Sequence, residues 1–349
     1  MTRYIVERLG QAVLVLWAAY TLSFLLLSAL PGDAVNNRIQ NPDQQISPEA
    51  AADLIAYYGL DQPLWQQYLQ SLQHLLQGDL GFSITTGLPV AELIGAALPS
   101  TLALTSLALL IGLVLAAVIG VAAHYAPWSW LRSAATSVPP MFGAVPTFVV
   151  GILILQYFSF TLHVIPSTDD GTFLALIGPA TTLGILIAAP LAQVFVAAIG
   201  QTRKQSFVHV LLAWGAGQRY AFGRGVLRNS ALPVVTLLGL AVGELIAGSV
   251  VTEAVFARPG IGQLTVTAVN TQDLPVLQGV VVVATVAFVL VNLAVDLVYP
   301  FLDPRLSYVQ DGRTRVRAGL FGLWLGPLAR RRSRQVTPTE ALPAEVVMP

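Results

Sequence analysis

Two acids, Glu244 and Asp296, stand inside stretches that are otherwise apolar. An ionised carboxyl at mid-bilayer costs about 2.5 to 3.5 kcal/mol even on the mildest insertion scale, so such a group faces protein or a watery path and not lipid. Asp296 falls near the end of its stretch, within reach of the interface or of Arg305. Glu244 is more central, about eleven residues or 16 Å from Pro233, and both contact with a solute and pairing with a neighbouring helix account for it. Conventional catalytic sets are missing. A P-loop needs GxxxxGK[ST], and the single lysine, Lys204, lies between Arg203 and Gln205. His74, His124, His163 and His209 are scattered singly, with no HExxH and no neighbouring acid pair at metal-ligand spacing. No GxSxG elbow is present, and the absence of cysteine removes thiolate nucleophiles, thiolate metal sites and disulfides together. The chain reads as a non-enzyme with no cofactor or metal of its own.

The elements that carry these acids are set by composition. Of 349 residues, 55% are hydrophobic and 10% charged, against about 25% charged in soluble domains, which defines an integral membrane protein. Six runs approach the ~20 apolar residues needed to span a bilayer: 9–30, 100–123, 135–160, 173–200, 233–255 and 275–302. Pro139, Pro140, Pro146 and Pro190 predict kinks in the third and fourth. Gly239, Gly243, Ala247 and Gly248 in the fifth suit close helix packing. The first run is longer than a signal-peptide core and is read as a retained span. The expected fold is all-α, with six transmembrane helices.

Arginine placement gives the orientation. Taking the spans in order, all but Arg38 and Arg258 of the 18 Lys and Arg residues fall on one side, which the positive-inside rule makes cytoplasmic, with both termini. The loop between the fourth and fifth spans, 203–232, lies on that side. In it Phe207, Leu211 and Trp214 stand at i, i+4 and i+7, one stripe of a helix that Gly215 and Gly217 would end. Such a stripe suits headgroups or a partner's pocket; Arg219, Arg224 and Arg228 suit lipid phosphates or partner acids. On the far side, residues 31–98 form an external segment with helical patterning at Ser47–Tyr58, opened by Ser47, Pro48 and Glu49, and at Leu64–Leu76. Residues 303–349 form a basic tail with little apolar periodicity, expected to be disordered or to lie on anionic lipid.

The stretches "YIVERLGQAVLVLWAAYTLSFLLLSALPGD", "GLDQPL", "GDLGFS", "LRNSALPVVTLLGL", "EAVFARPGIGQL" and "DPRL", in this order across nearly the whole chain, resemble the B-type permease subunit of peptide/nickel ABC importers. The resemblance implies type I importer architecture: two homologous permeases, two cytoplasmic ATPases that hold ATP and Mg, and an extracytoplasmic binding protein, in the plasma or inner membrane. It implies peptide cargo, with nickel chelates or other small peptide-like solutes as the alternative; a secondary transporter and a sensory or scaffold subunit are the competing classes, and nucleic acid is not among the partners. The 203–232 loop becomes the ATPase-coupling loop, with Phe207, Leu211, Trp214, Gly215, Gly217, Arg219, Arg224 and Arg228 as its candidate contacts. Glu244, Glu253 and Pro146 become candidates for the translocation path or its gate, and Asp61, Asp79, Asp169 and Asp170 for binding-protein docking. The chain departs from the family pattern in "SFVHVLLAWG", which is more apolar than usual, at Glu244, where glycine is common, and at Arg258, where an aromatic residue is common.

Overall fold

The computed structural model describes residues 2–28, 57 and 62–302. Among these, the apolar runs form long helices: α1 Thr2–Ser28, α3 Val90–Tyr125, α6 Phe173–Arg203, α8 Gln218–Val255 and α10 Leu274–Leu302. Between them lie α2 Leu64–Leu76, α4 Ser129–Gly143, α5 Thr147–Thr161, α7 Ser206–Ala213 and α9 Ile261–Asn270. The Asp296 side chain, the Ser47–Tyr58 helix apart from Tyr57, Asp61, and the basic tail lie outside the described residues.

The core is the pair α3 and α6. Leu104 and Ala108 of α3 are buried against Ala180, Leu183 and Ile187 of α6, with Ala241 and Leu245 of α8 closing the third side. Glycine makes the approach close. A Cβ on Gly112 would stand 2.5 Å from Ile187, and one on Gly184 would stand 2.7 Å from Ile111, so each helix seats a branched side chain of the other. In lipid, where there is no hydrophobic drive between helices, such packing is what holds the bundle.

Two sequence expectations change. The third apolar run is no single rod: α4 and α5 meet at 107°, with Ala144 ending one helix and Pro146 preceding the other. Pro146 lacks an amide hydrogen and so makes no hydrogen bond back into α4, and with extended backbone (ψ 137°) it sits just ahead of α5. The fifth span also starts before Pro233. The chain is helical from Gln218, runs through a π-helical turn at Ala221–Val226, and carries Pro233 inside the helix.

The helices run so that the bundle has two chemically different ends. At one, Arg203 donates to the His124 carbonyl at 3.1 Å and lies 4.9 Å over the Tyr125 ring, which ties α6 to α3. At the other, α2 docks on α1 through Tyr68, whose hydroxyl is 2.7 Å from Thr21 Oγ1 and whose ring meets Phe24 edge-on.

Candidate functional site

The acid-rich end is built on Glu253. This residue sits in the last turn of α8 and is fully buried. Thr101 of α3 donates its hydroxyl to Glu253 Oε1 at 2.6 Å and accepts the Ile261 amide at 2.8 Å. Glu253 Oε2 accepts the amides of Gly262 at 2.7 Å and Gln263 at 3.2 Å. The first turn of a helix leaves its N–H groups without intrahelical partners and carries a partial positive charge, so a carboxylate there is doubly favoured. Here the cap comes from a different helix, and one side chain joins α3, α8 and α9.

The backbone around it explains the "EAVFARPGIG" string. Ala257 takes φ 47° as the chain reverses out of α8. A Cβ on Gly260 would overlap the Glu253 carboxyl, and one on Gly262 would overlap the Val250 backbone. Only glycine lets α9 start this close to α8. Phe256 fills the space between Ile154 and Ile165, anchoring the turn to α5.

A second acid closes the neighbouring loop. Asp273, immediately before α10, takes the Ser83 hydroxyl at 2.5 Å and the amides of Ile84 at 3.2 Å and Thr85 at 3.1 Å. Its carboxyl therefore serves the loop after α2, while its carbonyl accepts the Leu277 amide. Asp79 organises the same loop one turn earlier. It accepts the Tyr57 hydroxyl at 2.5 Å, the Gly81 amide at 2.9 Å and lies 3.1 Å from His74 Nδ1. The Tyr57 hydrogen bond is the chief reason its carboxyl is held below the usual carboxylate range. Asp169 pairs with Arg258 at 3.1 Å, both side chains about nine-tenths covered. Asp170 remains exposed; the Thr172 hydroxyl at 2.6 Å and its amide at 2.9 Å lower its pKa. Among the described acids predicted to meet a partner, Asp79 and Asp169 are thus engaged within the chain, and Asp170 is at the surface. Sequence reasoning placed Glu253 at a gate but missed that Thr101, Gly260 and Gly262 hold it; the signal was an acid nine residues ahead of a glycine at a helix start.

At the opposite end α7 is a short apolar helix held from beneath. Val208 is buried with Phe195, Ile199 and Val226. Gly225, in the π-helical turn of α8, leaves room for Phe207 and Leu211, which a Cβ there would meet at 3.2 and 3.4 Å. Those two residues thus turn partly onto the chain itself. α7 leaves outward Val210, Leu212, part of Phe207 and, at its end, Trp214, which is 83% exposed. Gly215, at φ +82°, supplies the left-handed reversal, and Gly217 leads into α8. Arg219, Arg224 and Arg228 are exposed, with Arg224 lying 5.9 Å over the Tyr220 ring. Pro146 and Glu244 are exposed at the α4–α5 bend and in mid-α8 respectively.

Several helices long and apolar enough to cross a membrane, tied together by acids at one end and displaying a short apolar helix at the other, define a multi-pass helical membrane protein. Residues 108–308 match the family described as the inner membrane component of binding-protein-dependent transport systems, and residues 1–105 match its N-terminal membrane component; the chain belongs to this family. It is 32% identical over 308 residues to the dipeptide transport system permease protein of Lactococcus lactis, covering 88% of this chain and 99% of that one. It is 33% identical over 313 residues to the glutathione transport system permease protein of Salmonella choleraesuis, covering 88% and 100%. A solved structure titled as an amino acid ABC transporter with histidines aligns with a TM-score of 0.49 at 18% identity, over 60% of this chain and 94% of that one.

Proposed function

We propose that the chain forms half of the translocation path of an ATP-driven importer of peptides, and is coupled to cytoplasmic ATPases through α7. The carrying observation is the display of Val210, Leu212 and Trp214 on a helix seated on α8 through Val208 and Gly225. An 83% exposed tryptophan on so short an element suits a partner's pocket, since buried aromatic anchors dominate protein interfaces. The seat matters as much as the surface. A rigid contact carries displacement from α7 into α8, where a flexible loop would absorb it.

In this reading a second homologous permease completes the path, two ATPases bind ATP and Mg, and an extracytoplasmic binding protein delivers cargo to the acid-rich end. Arg219, Arg224 and Arg228 hold the ATPase side at the cytoplasm, and both termini lie there. Asp61 and Asp170 are candidates for binding-protein contact. Glu253 and Pro146 belong to the outer gate, with Glu253 fixing α9 and Pro146 marking the α4–α5 bend. ATP binding draws the ATPases together and opens the path outward; hydrolysis resets it inward. Peptide cargo is supported by the dipeptide and glutathione transport relatives.

Copurification tests the coupling. Wild-type chain should bring down two ATPase subunits and a second permease. Trp214→Ala, alone and with Phe207→Ala, should weaken ATPase recovery or uncouple ATP turnover from uptake. Full assembly with normal, cargo-dependent turnover in the double variant would refute the role given to α7.

A further inference from the structure

The exposed face of α8 follows one helical stripe through Pro233, Thr236, Leu240, Glu244, Ala247 and Val251. Glu244 is its single charge. It stands eleven residues before Val255, so about 16 Å below the end of α8, which is half of a hydrocarbon core about 30 Å thick. The exposed face of α3 is different: along Leu102, Ser106, Leu110, Val114 and Val118 the four apolar side chains are each more than half exposed, and none of the five carries a charge. That face suits lipid. The α8 face, with a carboxylate at its centre, does not, since lipid contact there would cost about 2.5 kcal/mol or more.

Resting on the importer reading above, we propose that Glu244 lines the aqueous path and is its recognition point for an organic ammonium group, the positive end of peptide-like cargo. Its chemistry is a single acceptor charge on an otherwise neutral wall. Ala247, one turn along the same face, leaves space beside it, because residues at i and i+3 are neighbours about 5 to 6 Å apart at Cβ. A carboxylate in such a wall raises the local concentration of cations and lowers that of anions.

The chain contains no cysteine, so a single introduced thiol reports on this face without background from its own sequence. The assembled complex carrying Ala247→Cys is treated in vesicles with two membrane-impermeant methanethiosulfonates, one bearing trimethylammonium and the other sulfonate, with and without ATP. Labelling of this chain is read by mass. The proposal predicts reaction from the aqueous phase, with the trimethylammonium reagent at least about tenfold faster, and loss of that preference when Glu244→Gln is added. Equal rates for the two reagents would overturn it. So would an unreactive thiol, the result expected if this face is sealed by lipid or by the second permease, or a preference that survives Glu244→Gln. ATP turnover stimulated by the binding protein is measured on the same samples. Normal stimulation with an unreactive or unselective thiol overturns this inference alone; no stimulation in the wild-type complex overturns the importer reading and this inference with it.

Discussion

Removing the Glu253 carboxyl should loosen the start of α9 before anything else in the bundle. Glu253→Ala takes away three accepted hydrogen bonds: from the Thr101 hydroxyl and from the amides of Gly262 and Gln263. Hydrogen bonds to a charged group contribute about 1.5 to 3 kcal/mol each, and the orphaned amides stay beside an α8 backbone that leaves little room for water. Contacts in one cluster do not add fully, so a loss of about 3 to 5 kcal/mol is expected. That corresponds to an increase of roughly two to four orders of magnitude in opening of the first α9 turn. Glu253→Gln should cost less, about 1 to 2 kcal/mol, because one amide oxygen still accepts while its NH₂ group faces donors. The assay is hydrogen exchange by mass spectrometry over residues 260–270 of the purified complex. Unchanged protection of Gly262 and Gln263 in Glu253→Ala would refute the cap as the element that holds α9.

Three further outcomes follow from neighbouring contacts. Gly262→Ala forces a Cβ into the Val250 backbone and should destabilise the complex by about 1 to 3 kcal/mol or prevent its assembly, read as thermal stability in detergent; an unchanged melting temperature would contradict the packing. Ser83→Ala removes one of the three hydrogen bonds that hold the loop to Asp273 and should loosen it, raising exchange over 81–89 while leaving 260–270 unaffected. For Asp79, the native carboxyl titrates below the unfolded one, so its contribution is fully present above about pH 4 and is lost as pH falls through the native value. Tyr57→Phe should move that loss to higher pH, followed as Gly81 amide exchange corrected for the intrinsic pH dependence.

Much of the architecture was legible because it follows from composition and period. The apolar runs mark the long helices, and Leu64–Leu76 emerges with the bounds its pattern predicts. The α4–α5 bend was legible only as a kink, since proline spacing indicates where a helix is interrupted but not the angle between its halves. The early start of α8 was hidden by glycine: Gly223 and Gly225 read as loop residues, yet they lie in a π-helical turn whose packing against Phe207 and Leu211 outweighs their low helix propensity. The Thr101–Glu253 contact and the Arg258–Asp169 pair were beyond reach, because they join residues far apart in the chain and depend on how helices pack. Glu244 was singled out in the sequence by the cost of a charge in lipid, and its place on the outward face of α8 then decides which neighbours it has.

The central claim is that this permease moves peptide-like cargo only when ATPases act on it through α7. The most direct measurement is uptake of labelled alanyl-alanine into proteoliposomes holding the complete complex, with the binding protein outside and ATP supplied to the ATPase side. The account predicts accumulation that requires both ATP and the binding protein and that falls at least about tenfold with Trp214→Ala, a loss of about 1.4 kcal/mol or more in coupling. Accumulation that continues without ATP, or that Trp214→Ala leaves untouched, would contradict it.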